Sequence, residues 1–172
     1  MKVGVHACEP LECIVARKHA EERMLGQFYW GYGGTLCHPR NQVTPLADMA
    51  AAVGGAPMLV MLSTPSKHLS DGSDAAFLSA DGATWTPLPS GATVRGSRYA
   101  LVCRALERAE ATIDLAQYEV AAGPSRGVRI DAYLRGRVDK ACARRRATSV
   151  ASSECPVAYV AEIVPPSAVF LR

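Results

Sequence analysis

Phe77-Leu78-Ser79-Ala80-Asp81-Gly82-Ala83-Thr84-Trp85 sets an Asp-Gly pair between two strand-like arms, the strongest short-range signal for a β-hairpin. A hairpin commits its arms to antiparallel pairing, and the other apolar runs are of strand length too. Residues 57–62 form a continuous apolar run too short for an ordinary helix, with the polar exit Ser63-Thr64-Pro65-Ser66-Lys67 behind it. That pattern reads as a buried strand. Further strands are expected over 99–106, 112–115, 118–121, 157–164 and 168–171. Ser79-x-Asp81-Gly82-x-Thr84-Trp85 falls one residue short of Asp-box spacing and occurs once, so it reads as a hairpin alone.

Three helical patterns stand beside these strands. Pro10 suits a first helical position and Gly26 a C-cap, with Arg17–Glu21 and Lys18–Glu22 spaced to meet on the exposed side. Thr44 as N-cap, Pro45 in the first turn and Gly54 at the end frame a second helix, whose packing face is Leu46, Met49, Ala50 and Val53. A third is expected over 130–145, where Ile130, Tyr133, Leu134, Val138, Ala141 and Cys142 keep helical spacing. Arg144, Arg145 and Arg146 would then favour the dipole at its end. Gly136 inside that helix would cost ~1 kcal/mol relative to Ala, which close packing against another backbone would explain. The expected architecture is one α+β domain over 1–172: a mixed, largely antiparallel sheet with about three helices.

Composition narrows the function. With 172 residues, 49% hydrophobic and 20% charged, the chain is of ordinary globular make-up. A net charge of +3 can favour a phosphate at a local site, but it is too small for a surface that neutralises extended nucleic acid. No stretch approaches the ~20 apolar residues of a membrane span. His6 and Glu9 close behind the first apolar residues argue against a signal peptide. The expectation is a soluble, cytoplasmic protein, with a homo-oligomer left open. Its six cysteines suit reduced thiols better than a disulfide framework.

The segment richest in chemistry is Phe28-Tyr29-Trp30-Gly31-Tyr32-Gly33-Gly34, followed by Cys37-His38-Pro39-Arg40. Four of the chain's eleven aromatics lie there beside three glycines. Aromatic faces stack on flat ligands, glycine admits close approach, and His38 and Arg40 add a titratable group and a fixed charge. Read as a loop, the segment is a stacking site; read as a rigid structural loop, it caps the core.

Two further loops have the residues of anion sites. In Gly123-Pro124-Ser125-Arg126-Gly127, free backbone N–H groups, the Ser125 hydroxyl and the Arg126 guanidinium could hold a phosphate. The same five residues match G-x-S-x-G, but all four histidines precede Ser125, so the order a hydrolase requires is missing. Ser63, Ser66 and Lys67 lie at a strand exit, where ligands often meet α/β folds, without the glycine framework of a P-loop. On the expected third helix Arg137, Lys140 and Arg144 share a stripe, either a solvated face or a phosphate-facing one. Glu162 is a lone carboxylate in an apolar strand, a catalytic candidate if turned inward. His6, Cys8, Cys13 and His19 lack zinc spacing, and no cofactor signature is present.

The expected function is a binding protein for a small nucleotide-like or phosphorylated ligand, sensing or sequestering a signalling nucleotide. Its expected contacts are Tyr29, Trp30, Tyr32, Gly33, Gly34, His38, Arg40, Ser63, Ser66, Lys67, Ser125, Arg126, Arg137 and Lys140. Two alternatives remain: an enzyme acting on a nucleotide or nucleoside with His38 and Glu162 as acid and base, and a protein inhibitor that presents the aromatic loop.

Overall fold

Proline lacks the N–H that a helix interior needs, and glycine tolerates a left-handed backbone, so Pro10 and Gly26 frame the first helix, α1 (Leu11–Leu25). Gly26 sits at φ 72°, and its N–H donates to the Glu22 carbonyl at 2.8 Å. The computed structural model describes residues 1–33, 39–65, 72–136, 138–148 and 152–172, with the backbone alone at 39–41. After α1 come β1 (Phe28–Tyr32), α2 (Pro39–Ala52), β2 (Met58–Leu62) and the hairpin strands β3 (Phe77–Ser79) and β4 (Thr86–Pro87). Then follow β5 (Tyr99–Asp114), β6 (Tyr118–Val120), α3 (Ile130–Tyr133), β7 (Ala143–Arg145) and β8 (Glu154–Leu171). The fold is α+β, three helices with a largely antiparallel sheet.

The sheet is organised by its two longest strands. β5 and β8 pair antiparallel from Tyr99 opposite Phe170 to Asp114 opposite Glu154. β1 pairs the first part of β5, from Phe28 opposite Cys103 to Tyr32 opposite Tyr99. On its other edge β8 serves two neighbours, β2 beside Val157–Glu162 and β3 beside Phe170 and Leu171. The strands expected separately at 99–106 and 112–115 are therefore one strand, as are those at 157–164 and 168–171. The ladder continues because surplus residues are absorbed at register shifts, in β5 between Arg104 and Glu107 and between Arg108 and Ala111, and in β8 between Ile163 and Ala168. At one of these Ala105 adopts φ 51°, and the Glu22 carboxylate of α1 accepts the N–H groups of Ala105 and Leu106.

The charges of α1 also differ from expectation. Arg17 pairs with Glu9, and Lys18 with Glu21 at 2.9 Å, the latter pair buried instead of exposed. The reason is that α1 turns these groups towards the backbone it packs on. Glu21 accepts the Tyr29 N–H at 2.7 Å, and Lys18 donates to the Thr93 carbonyl at 2.7 Å.

Two helix expectations need correction. α2 starts at Pro39, so Pro45 lies inside it and Thr44 is not its N-cap. Its inward stripe is Val43, Leu46 and Ala50, whereas Met49 and Val53 are 51% and 84% exposed. The helix expected over 130–145 is only the single turn α3, after which Gly136 takes φ 67°. No atom lies within 4 Å of a Cβ placed there, so it is the left-handed backbone and not close packing that glycine permits. Residues 143–145 leave the helical pattern because β6 gives them partners. Arg144 pairs with Glu119 at 2.6 Å, Arg145 donates to Gln117 at 3.3 Å, and β6 and β7 form a separate two-stranded sheet.

The core lies on both faces of the main sheet. Phe28, Trp30 and Tyr32 of β1 join Leu59, Met61, Leu101 and Cys103 on one face. Tyr29 joins Val94, Ala100, Val102 and Val169 on the other. This two-residue alternation is that of a strand buried on both sides.

Candidate ligand-binding site

The aromatic-glycine segment is a strand. Tyr29, Trp30 and Tyr32 are 5%, 6% and 4% exposed, so the stacking loop read from the sequence is replaced by an element that buries its rings in the core. Two features give these residues a wall of glycine and aromatic side chains. A Cβ on Gly31 would come within 2.6 Å of both Ser97 Oγ and Val94 Cγ1, which shows how closely the 94–97 segment lies on β1. The Trp30 indole N–H points to Met1 Sδ at 3.3 Å.

Residues 1–3 are held in place by backbone bonds. The Leu62 N–H donates to the Met1 carbonyl at 2.7 Å, and the Lys2 N–H to the Asp139 carbonyl at 2.7 Å. This N-terminal segment separates two concavities that share Met1, Tyr32 and Lys140 in their walls. The larger is an apolar cavity of about 510 Å³. Leu46 and Ala50 of α2, Met58 and Val60 of β2, Leu134 and Ile163 supply its walls. Among its lining side chains Tyr32, Tyr118, Cys142 and Lys140 bring a hydroxyl, thiol or ammonium group, and the Met1 N-terminal amine donates to the Val60 carbonyl at 2.7 Å.

The smaller concavity is a cleft of about 80 Å³ along Trp30, Gly31, Tyr32 and Gly33. Five cations line it, Lys2, Arg17, Lys18, Arg95 and Lys140, together with His6 and one carboxylate, Asp139. Four of the cations have carboxylate partners: Glu9 for Arg17, Glu21 for Lys18, Asp74 for Arg95 and Asp139 for Lys140. Lys2 donates to the Gly136 carbonyl at 3.3 Å and has no carboxylate partner among the described residues. Counted over the side chains of the described residues, five cations against these four carboxylates leave one net positive charge at the cleft. Burial pushes the Lys18 ammonium below the ordinary lysine value against the pull of Glu21, and His6 Nε2 lies 3.0 Å from the Arg95 carbonyl.

The expected contacts divide sharply. Trp30, Tyr32, Gly33 and Lys140 are brought together at these walls. Tyr29 faces the opposite side of the sheet, where Gln27 donates to its hydroxyl at 3.0 Å. Ser63 lies at the end of β2 with its N–H bonded to the Pro156 carbonyl, and it lines neither concavity. Ser125 and Arg126 sit in a tight turn, closed by the Arg126 N–H on the Gly123 carbonyl at 3.1 Å, and they too line neither. No helix carries Lys140 and Arg144 on a shared stripe, since 138–142 are not helical and 143–145 are β7. Lys140 pairs with Asp139 and Arg144 with Glu119. Gly34, His38, Ser66, Lys67 and Arg137, and the side chain of Arg40, lie outside the described residues.

Glu162 is not an inward carboxylate. Both its oxygens accept from Arg104 at 2.9 Å, and that guanidinium holds its carboxyl below the usual glutamate value. A carboxylate kept ionised in this way is a poor proton donor. The sequence reading missed Met1, Lys2, Asp139 and residues 141–143; their pattern held no signal as a site, because they become walls only when the chain start is laid between β2 and Asp139. Leu46 and Ala50 were visible as half of the apolar stripe of α2. Among the described residues no three His, Cys, Asp or Glu side chains are grouped to hold a metal ion, and no helix is long and apolar enough to cross a membrane. Comparison of the chain with protein-family models, curated proteins and solved structures finds no match.

Proposed function

We propose that the protein binds a small phosphorylated ligand with a flat, largely apolar body. The body occupies the 510 Å³ cavity behind Tyr32, and the phosphate is directed to Lys2 and Lys140. The observation that carries this reading is the junction itself: an apolar cavity of ligand size shares Met1, Tyr32 and Lys140 with a cleft that keeps a net positive charge. Small-molecule sites are mostly apolar, with a few convergent polar groups to fix orientation, and span ~300–1,000 Å³.

The lining chemistry also ranks the members of that class. A nucleobase buried here would leave ring nitrogens and exocyclic groups short of partners, at a cost of ~1–3 kcal/mol for each unsatisfied group. An aryl phosphate or a comparably apolar phosphate ester fits better than a nucleotide. With Glu162 held by Arg104, the proposed role is retention of the ligand unchanged, as a sensor or a sequestering protein.

Calorimetric titration with 1-naphthyl phosphate, 1-naphthol and inorganic phosphate tests the reading. The ester should bind at least tenfold more tightly than either fragment. Lys2→Gln should weaken the ester several-fold and leave 1-naphthol unchanged. Equal affinity for ester and naphthol, or no binding to the folded protein, would count against a joined site.

A further inference from the structure

We propose a second, separate site, for a phosphate monoester that carries a flat heteroaromatic ring, a mononucleotide in chemical class, in the groove at the hairpin end of β8. The groove has a volume of about 420 Å³ and is lined by Trp85, Arg98, Tyr99, Phe170, Arg172 and the Ser73 and Ser97 hydroxyl residues, with Asp74 at its wall.

Its distinguishing feature is two guanidinium groups that pair with no carboxylate side chain of the described residues. The Arg172 guanidinium lies 4.2 Å above the Trp85 ring centroid and 5.4 Å from that of Phe77. Stacking uses the face of a guanidinium and leaves the in-plane N–H donors at its edge for a planar or tetrahedral anion. Arg98 is exposed, its backbone fixed by the Leu171 N–H on its carbonyl at 2.8 Å. Neither guanidinium pairs with a carboxylate side chain among the described residues. Two described acids of this region are engaged elsewhere: Asp74 with Arg95 at 3.0 Å, and Asp81, at the hairpin tip, with Ser79 and the Ala83 and Thr84 N–H groups.

The rest of the groove suits the ring. Tyr99 and Phe170 meet edge to face with centroids 5.8 Å apart, forming an aromatic wall beside the two cations. Ser73 stands in the lining to meet a ring heteroatom, whereas Ser97 donates its hydroxyl to the Arg95 carbonyl at 3.0 Å. Charge-assisted bonds from two arginines supply the phosphate contact, and stacking supplies the remainder.

The test titrates AMP, adenosine and inorganic phosphate into the full chain, read by calorimetry and by tryptophan fluorescence, which Trp85 reports. AMP should quench the fluorescence and bind at least tenfold more tightly than adenosine or phosphate. Arg98→Gln and Arg172→Gln should each weaken AMP about tenfold, with circular dichroism and Tm unchanged, while Lys2→Gln leaves AMP affinity intact and 1-naphthyl phosphate still binds Arg98→Gln. Unchanged AMP affinity in the Arg98→Gln/Arg172→Gln double variant would overturn the site, as would loss of AMP binding in Lys2→Gln. Phosphate binding as tight as AMP would overturn the assignment of a ring subsite.

Discussion

Residues 28–33 and 77–85 are built from the same materials, aromatic side chains beside glycine, yet the fold uses them in opposite ways. The first becomes β1, buried on both faces, with Trp30 6% exposed. The second turns at the Asp81 loop and leaves Trp85 half-buried under Arg172. What separates them is the neighbourhood each strand meets. β1 lies between β5 and the 94–97 segment, with α1 reaching its Tyr29 N–H, while the hairpin is joined to the sheet by two residue pairs at the end of β8. Aromatic-glycine composition therefore tells where rings concentrate, and burial depends on how many layers cover them.

The sharpest way to break this comparison is to truncate both tryptophans. Trp30→Ala should destabilise the protein by ~3–5 kcal/mol in urea unfolding, as expected for a large core side chain. Trp85→Ala should cost about 1 kcal/mol or less. Equal losses would mean that the hairpin is as deeply integrated as β1.

Glu21→Ala should cost ~3–5 kcal/mol as well, because it strands the buried Lys18 ammonium and removes the acceptor of the Tyr29 N–H. Replacing both partners, Lys18→Met with Glu21→Leu, should recover part of that loss; no recovery would show that the backbone bonds matter more than the pair.

The two glycines at these segments should fail for different reasons. Gly31→Ala should cost ~1–3 kcal/mol through overpacking against Ser97 and Val94. Gly82 has room for a Cβ, with the Phe170 ring 3.4 Å away, but sits at φ 79°, so Gly82→Ala should cost ~1–2 kcal/mol from backbone strain. Combining Gly31→Ala with Val94→Ala should relieve the first loss in part, and no comparable partner should relieve the second.

The smallest effect is expected at Arg104→Ala, which removes an exposed pair. Glu162 has its carboxyl held low in the fold by Arg104. The pair's contribution is therefore present above the unfolded glutamate value and lost as pH falls through the folded one. Unfolding curves of parent and variant should differ slightly near neutral pH and converge in acid; a gap that widens in acid would contradict the assignment.

Local signals were legible where a residue's own backbone decides the outcome. Pro10 and Gly26 frame α1, the Asp81-Gly82 turn makes a hairpin, and the run at 57–62 is β2 within one residue. Where the partner decides, the pattern misled. Helical spacing over 130–145 could not reveal that Glu119 and Gln117 would draw Arg144 and Arg145 into a strand. The apolar run broken at 107–111 could not reveal bulges that keep β5 continuous. The site shows the same division: Trp30, Tyr32, Gly33 and Lys140 were visible as residue types, whereas Met1 and Lys2 enter it through pairing with β2 and Asp139.

The most direct measurement is the affinity for 1-naphthyl phosphate of the parent and of Ala141→Phe, which puts a ring into the apolar cavity that Ala141 lines. Occupation of the cavity by the ligand body predicts that the variant stays folded, keeps or raises its Tm, and loses binding by a hundredfold or more. A folded Ala141→Phe protein with parental affinity would contradict the account.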